Sequence, residues 1–589
     1  MLHRAVVRAA LALGTLLALC PPAVAGWTTD PVPVFATTNS CPQVAACSDA
    51  AHGAVVVWQE NTATGNVVRA AHLLATGDVD PAWPAPASVC TTSVARSALG
   101  AIGDGLGGAY VWWMSGTELF LTRLAPDGAL AAGWPVAGRR LGTLPTAAHR
   151  PSVAADGANG VYVAWPQVSI GSPMTMLLLD LAHLGPANTP AGGFTGSGVH
   201  VVGYDGSQVT WVSAYAIAAA PGGGVWLAWG STVSEDTVLT DGDYRFTRLN
   251  SAGRPAPGWT VMGARLDAFP ATRLATTHGW SANPAMSLVG IAPDTSGGAY
   301  VAFGLADPDV PSPQFYAMPR LVHYGGDALP APDWPAGGLT AYTPGLEAPF
   351  DGGANASYHL FSDLRGGVIA GVPGFGSEGF VGGFFLDRYS PTGVVLPYPV
   401  EADQSGLETA QGTDGSVFVA DCNPVGPYSD WDPLASVRIS SAAGATWSEW
   451  HTTPVTTWYG DAGVAATDDG GAILAWSQVN QRYGIFAVRV NGAGLVTGIP
   501  PAASGPMRFA LHDTHGAGLR AVASLGSGGA ARWGVFDVAG RRVAGGAFVA
   551  GAGVRDWTLS GTAAIPAGVY FGRVECGAHV LTARVALTR

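Results

Sequence analysis

The sequence predicts an all-β protein: a β-propeller of about eight blades, or seven if one copy is absorbed into a neighbour's insertion, followed by a small immunoglobulin-like β-sandwich. Three observations carry this. A short motif recurs eight times within residues 26–500, and each copy reads as three or four short antiparallel strands. A Pro-punctuated break at 501–506 is then followed by seven more short strands in 507–589. The expected division is therefore 1–25, 26–500, 501–506 and 507–589.

Composition excludes several classes before any motif is read. Charged residues are 12% of the 589, where about 25% is usual, and the 83 glycines are about twice the usual share of ~7%. Neither a coiled coil nor a charge-rich tail has that make-up. The 28 basic residues are all Arg and there is no Lys, which excludes Schiff-base chemistry, a pyridoxal site and a Walker A loop. The formal charge of −13 argues against nucleic acid as a partner, because phosphates are neutralised by basic patches.

The N-terminus reads as an export signal. Arg4 and Arg8 precede the apolar run from Ala9 to Leu19, and Ala23-Val24-Ala25 offers a small-residue cleavage site before Gly26. The run is too short for a membrane span, which needs about 18 apolar residues or more. Lipoprotein processing at Cys20 would want a small residue where Leu19 stands. The mature chain is thus expected to lack a transmembrane segment and to reach the outer cell surface or the medium. It keeps Cys41, Cys47, Cys90, Cys422 and Cys576. Five is odd, and an oxidising compartment favours one bridge among Cys41, Cys47 and Cys90, whose pairing is not readable from spacing. No CxxC pair or HExxH is present, so neither metal nor cofactor is expected.

The repeat is plainest in Gly107-Gly108-Ala109-Tyr110-Val111-Trp112-Trp113, Gly223 to Trp229 and Gly297 to Phe303. Weaker copies begin at Gly53, Gly160, Gly367, Ser416 and Gly471. In each copy a short strand such as Pro151 to Ala155 runs into an Asp-Gly turn and then an aromatic strand, which is hairpin chemistry. A third strand follows, closed by Arg-Leu and a turn, as in Arg123 to Gly128, Arg248 to Gly253, Arg388 to Gly393 and Arg489 to Gly494. A Trp-x-x-x-Gly-x-x-Leu stretch leads onward, as in Trp134, Gly138 and Leu141. Such units of about 60 residues read as propeller blades. Alternating residues such as Val161, Val163 and Trp165 are expected to pack one blade on the next. The repeated Arg is expected to bond blade backbone or a turn Asp. Eight equivalent Arg would instead point to an anionic ligand, but His72 and His323 replace it in two copies and the Asp180 region shows neither.

These residues resemble a repeat common in exported bacterial propeller proteins, Asp-Gly-x-Gly-Gly-Ala-Φ-Φ-x-Trp with a Gly-x-Val-Asp-Pro-x-Trp-Pro linker, which Gly77 to Pro84 matches. Copies six and seven depart from it, with Val372 and Asp421 in the aromatic position. In the last 80 or so residues, Phe536 to Val543, Ala567 to Arg573 and Arg584 to Arg589 resemble the type A C-terminal sorting domain of the type IX secretion route. They resemble equally the immunoglobulin-like domain of flagellar hook-capping proteins. The resemblance implies the secretion machinery as a partner of this module; without it, the module reads as an adhesive spacer. The family's Asn-Pro entry is missing near His512.

Enzymatic signals are thin. His512-Asp513-Thr514-His515 reads as a solvated loop, and Asp241-Gly242-Asp243, Asp307-Pro308-Asp309 and Asp430-Trp431-Asp432 as acidic turns without a calcium-loop pattern. Ser440 to Trp447 resembles the Asp box of sialidase-like propellers with Ala442 in place of the Asp. In that family the box is a structural hairpin at the blade periphery, and the carboxylates and Arg cluster of a sialidase cannot be assembled from spacing. No catalytic residue is assigned. The expected function is a non-enzymatic binding or scaffold propeller for an extracellular glycan or protein, with an exported glycan-active hydrolase or lyase as the alternative. A ligand site is expected in two connections of copies seven and eight. Tyr428, Asp430, Trp431 and Asp432 lie in the first and Trp450, His451, Trp458 and Tyr459 in the second, because aromatic faces beside carboxylates suit sugars and peptide side chains.

Overall fold

A computed structural model describes Trp27, most of residues 31–490 and most of 509–587. The longest undescribed stretches are 1–26, 202–208, 267–288, 307–316, 341–357, 374–383 and 491–508, so the signal segment 1–25 and the linker 501–506 lie outside the described residues. The chain divides into two compact units, Met1–Val496 and Thr497–Arg589. Every helix or strand among the described residues is a β-strand.

In the first unit the local chemistry of the repeat makes each hairpin. Asp104 ends the inner strand Arg96–Gly103, and its Oδ1 accepts from the amides of Leu106 and Gly108, both at 2.8 Å. Its own amide donates to the Gly108 carbonyl at 3.1 Å, which closes the turn into Ala109–Ser115. The small residue that marks each copy is there because the third strand passes over it. A Cβ on Gly108 would lie 2.2 Å from the Leu124 carbonyl oxygen, and one on Gly298 would lie 2.2 Å from that of Tyr324.

Among the described residues, eight four-stranded antiparallel sheets result. In the first, the order from inner to outer edge is Ser40–Ser48, Ala54–Thr62, Gly65–Leu73 and Ala87–Thr92. The second to seventh repeat this order within residues 96–143, 152–200, 209–265, 289–340, 359–402 and 408–451. The eighth takes three strands from the chain's far end, Trp458–Ala466, Ala472–Val479 and Gly484–Val490. Its outer strand is Val32–Ala36, at the opposite end of the sequence. Each inner strand meets the next: Leu99 N donates to Gln43 Oε1 at 3.3 Å, and Ile217 N to Ser152 Oγ at 3.1 Å. The last meets the first, since a Cβ on Gly463 would lie 2.5 Å from Ala46 N. The ring is closed.

The core lies between sheets. Val161, Val163 and Trp165 pack with Tyr110, Met114 and Trp134 of the second sheet, as their alternation predicts, while Tyr162 and Ala164 pack with Leu227 and Trp229 of the fourth. The linker tryptophans seal the rim. Trp83 Nε1 donates to Pro126 O at 2.7 Å, Trp134 to Pro186 O at 2.9 Å and Trp259 to Gly326 O at 2.9 Å, each reaching a turn of the following sheet.

The bridge expected among the first three cysteines does not form. Cys41, Cys47 and Cys90 are buried thiols. A register shift between Ser40 and Gln43 turns Cys41 toward the eighth sheet, whereas Cys47 and Cys90 face the second. Burial pushes the Cys41 thiol up to about 12 and Cys47 further, so neither is a ready nucleophile.

The described residues of the second unit form seven strands in two sheets. Phe509–Asp513, Leu519–Leu525 and Gly553–Leu559 form one. Gly529–Asp537, Arg542–Ala550, Gly568–Cys576 and His579–Leu587 form the other. Trp533, Val535, Tyr570 and Val574 are buried on one face of the second sheet, and Leu519, Ala521 and Leu559 on the first. His512 and Asp513, read from sequence as part of a loop, pair in register with Arg520 and Leu519 instead. His515 lies outside the described residues.

Candidate functional site

Register alignment of the eight sheets places a third-strand residue, basic in all but the seventh, opposite one position of the second strand. The pairs are Val55 with His72, Tyr110 with Arg123, Tyr162 with His183 and Trp226 with Arg248. They continue as Tyr300 with His323, Ile369 with Arg388, Phe418 with Ile439 and Ile473 with Arg489. The third copy therefore carries His183, and the sequence reading that found neither Arg nor His near Asp180 is corrected. The two are three positions apart, and only the pairing tells which of them is equivalent.

These side chains brace the hairpins. Arg123 Nε and Nη2 reach Asp104 Oδ2 at 2.9 and 2.6 Å, and Arg388 grips Asp363 in the same way at 3.1 and 2.9 Å. His72, His183 and His323 sit 2.8, 2.8 and 2.7 Å from Asp49, Asp156 and Asp294. Burial would raise the Asp294 carboxyl, but His323, the Ser296 hydroxyl and the turn amides hold it at about 2. His72 is likewise pushed down by burial, yet Asp49 and Asp80, each 2.8 Å away, hold it above its ordinary value. In the Arg123–Asp104 and Arg388–Asp363 pairs both partners are buried, so these two guanidinium groups are spent on their own turns.

Because the strands alternate in direction, these turns all lie at one end of the ring, and the connections from second to third strand and from sheet to sheet lie at the other. The expected ligand residues that the structure describes belong to that second end. Asp432 opens the strand Asp432–Ser440 and pairs with Val425. Trp450 and His451 end Trp447–His451, opposite Val437 and Ser436. Trp458 and Tyr459 open the inner strand Trp458–Ala466, opposite Val479 and Gln478. These five are thus strand residues, not loop residues as the sequence implied. Aromatic and β-branched residues suit a pleated backbone whose groups are paired. Tyr428, Asp430 and Trp431 lie outside the described residues.

The axis of the ring holds a cavity of about 210 Å³ that the sequence did not reveal. Ala45, Ala46, Ala98, Leu99, Gly100, Ala101 and Val464 give it a wall of small and apolar side chains. Trp112, Arg150, Pro151 and Glu408 complete it. Arg150 enters the third sheet and Glu408 opens the seventh, which lie opposite one another in a ring of eight. Both residues are exposed. Trp112 is there because of Gly100, its cross-strand partner: a Cβ on Gly100 would lie 2.1 Å from the indole. Register gives Val57, Ala164, Ala228, Ala302, Gly371, Ala420 and Ala475 at the same place in the other seven sheets. A single bulky residue at a position otherwise kept small was the available signal in the sequence.

Near this cavity, His359 Nδ1 lies 2.8 Å from Thr409 Oγ1, and burial pushes the imidazole down to about 4, so it is neutral near pH 7. Among the described residues no group of three His, Cys, Asp or Glu could hold a metal ion. Of the degenerate Asp box, Ser440 ends the third strand of the seventh sheet and pairs with Trp447 of the outer strand, and residues 441–446 lie outside the described residues.

No family model matches the chain, and no curated protein does. Solved structures do. PorZ of Porphyromonas gingivalis, described as a bacterial surface component of the type IX secretion system, is 11% identical, with 94% of this chain and 82% of that chain covered and a TM-score of 0.19. Prolyl oligopeptidase B of Galerina marginata is 9% identical, with 78% and 56% covered and a TM-score of 0.36. The leech intramolecular trans-sialidase is 9% identical, with 80% and 71% covered and a TM-score of 0.27. These likenesses carry no argument about the chain; the arrangement of its own sheets makes the first unit a β-propeller.

Proposed function

We propose that the ring is a non-enzymatic binding or scaffold module, exported and displayed at the cell surface, whose recognition face is the end carrying the long connections. One observation carries this. Arg150, Glu408, Trp458 and Tyr459 all enter inner strands from that end, whereas the charged pairs at the other end are consumed in bracing hairpins. Function in propellers lives in such variable connections rather than in the repeated frame. The partner is an extracellular glycan or protein.

The second unit serves sorting or adhesion in this reading, and it engages the secretion machinery if it sorts. Its charge sets it apart from the ring, since residues 497–589 carry nine Arg against four acidic residues, while 26–496 carry seventeen against thirty-seven. Fractionating cells that express the full chain and a chain ending at 496 tests this. Sorting predicts that the short form crosses the inner membrane and stays in the periplasm. Surface display of the short form at the full-length level would overturn it.

A glycan-active hydrolase is the second reading, favoured by the pairing of Ser440 with Trp447 at the position of an Asp box. Turnover of a polysaccharide by purified protein, abolished by one carboxylate substitution, would replace the binding reading with this one.

A further inference from the structure

We propose that one end of the larger sheet of the C-terminal unit is a docking surface for a bilayer with anionic headgroups, its apolar tip entering the lipid and its arginines pairing with phosphate. The inference goes beyond the ring's binding role and holds whether or not the unit sorts. Trp533, Val535, Tyr570 and Val574 are buried on the inner face of this sheet, so Arg532, Phe536, Phe571 and Arg573 belong to the outer face. At one end of it Phe571 is 44% exposed, Val543 40% and Val538, in the turn, 76%. Arg541 and Arg542 stand beside them and are exposed. Residues 529–550 and 568–587, which make up this sheet, carry five Arg against Asp537 and Glu575, an excess of three positive charges. Both carboxylates are bonded to arginines of the sheet, Asp537 to Arg541 and Glu575 to Arg573, each at 2.8 Å. Clustered exposed apolar side chains mark an interaction site. A soluble polyanion would satisfy the arginines and leave Val538 and Phe571 in water. A bilayer offers phosphate at its surface and hydrocarbon beneath, which matches cations set around an apolar turn. Arginine suits the phosphate layer because its planar fork pairs with two oxygens at once.

The surface is formed before any contact. The Asp537 amide donates to the Arg541 carbonyl at 3.0 Å, and the Asp537 carboxylate accepts from the Arg541 amide and Nε at 2.9 and 2.8 Å. Gly540 supplies the left-handed residue of this turn at φ 77°. Val538 is thereby held at the tip. Two glycines shape the strands behind it: a Cβ on Gly534 would lie 2.9 Å from the Phe536 ring, and one on Gly545 would lie 2.5 Å from Arg542 Nε. Phe536 and Arg542 therefore lie along the sheet. The register shift between Val535 and Phe536 accommodates Val543 as an extra residue next to Arg542. Phe571 pairs with Phe536 on one side and with Arg584 on the other. The approach to its strand is anchored as well, since the Tyr570 hydroxyl donates to the Pro566 carbonyl at 2.9 Å, and Pro566 and Ala567 are exposed at the same end.

Co-sedimentation of the purified full-length protein with vesicles is the test, using phosphatidylcholine alone and phosphatidylcholine mixed with phosphatidylglycerol. The mixed vesicles should carry the protein down at physiological ionic strength, where a Debye length of about 8 Å screens more distant charges, and added salt should release part of it. Arg541→Gln and Arg542→Gln should each lower the partition coefficient about fivefold. Phe571→Ser should lower it about tenfold. Arg542→Lys keeps the charge and should retain most of the binding. Arg254→Gln makes the same charge change at an exposed site of the ring and should alter nothing. Melting curves establish that each variant is folded; Val538→Ser, at the exposed tip, stands in if Phe571→Ser is not. Absence of partition onto the mixed vesicles, equal partition onto phosphatidylcholine alone, or a loss with Arg254→Gln as large as with Arg542→Gln would overturn the proposal. Retention on immobilised dextran sulfate without vesicle binding would assign the face to a soluble polyanion and overturn it too. Cell fractionation and capture of a glycan or protein by the ring are read independently of vesicle binding, so these readings fail separately.

Discussion

Trp27 and Arg489 converge on one carbonyl oxygen, that of Ala75: the indole Nε1 donates at 2.9 Å and the guanidinium Nη1 at 3.0 Å. Trp134 and Arg123 do the same to Pro186 O, at 2.9 and 3.2 Å. In the second sheet both residues belong to one repeat. At the closure they come from the two ends of the propeller sequence, and Trp27 takes the place that a linker tryptophan of the eighth copy would hold.

Trp27 therefore fastens the ring. Trp27→Phe should cost about 1 kcal/mol by losing one hydrogen bond, and Trp27→Ala about 3–5 kcal/mol by leaving a cavity. Deleting residues 26–36 should lower the melting temperature further, because the Gly484–Val490 strand then becomes an open edge. Thermal denaturation checks the order, and a deletion variant as stable as the parent would show that closure does not depend on this segment.

The hairpin braces predict a large effect from a small change. Asp104→Ala leaves Arg123 buried without its carboxylate, and such loss costs about 3–5 kcal/mol. Adding Arg123→Leu should return part of that stability. Chemical denaturation of the two single variants and the double variant measures the coupling; additive losses would contradict it.

Stability should depend on pH in two windows. Asp294, with an ordinary value of 3.8 and a folded value of about 2, contributes above pH 3.8 and loses its contribution as pH falls toward 2, and the lowered Asp49 and Asp156 act in the same direction. His72, held above 6.5, contributes below pH 6.5 and loses its contribution as pH rises through its folded value. His72→Gln should thus lower the melting temperature more at pH 5.5 than at pH 9. An equal loss at both would show that the imidazolium charge contributes nothing.

Gly100 and Trp112 form a size-matched pair. Gly100→Ala forces the indole out of place and should destabilise the ring by about 1–3 kcal/mol, the usual cost of overpacking. Trp112→Val in the same chain, which restores the residue of the first sheet's copy, should recover most of that loss. Denaturation monitored by circular dichroism decides it, since a double variant no better than Gly100→Ala would place the strain elsewhere.

The repeat was legible because each hairpin is written locally. The eight second strands begin at Ala54, Ala109, Val161, Val225, Ala299, Val368, Val417 and Ala472, one residue after each small-residue marker in the sequence. Turn Asp, small residue and aromatic strand lie within about ten residues, so pattern alone fixes them. The seven strands of the C-terminal unit were legible for the same reason; Leu519–Leu525 has the limits its alternation implies. The five ligand candidates in strands were read as loop because aromatic and acidic residues beside Pro and Gly look the same in either setting.

What only the tertiary structure decided are relations between distant parts of the chain. Nothing local marks Val32–Ala36 as the outer strand of the eighth sheet, since its partner lies at the other end of the repeat array. The register shift that turns Cys41 away from Cys47 follows from pairing with Ala54–Thr62, which composition does not encode. His183 became recognisable only through its pairing with Tyr162. The axial cavity draws its wall from five sheets, and Arg150 and Glu408 face it together because a ring of eight sets the third and seventh sheets opposite. A hairpin is determined by neighbours in sequence, whereas closure of a ring is determined by the number and packing of its sheets, and the axial cavity lies where they close.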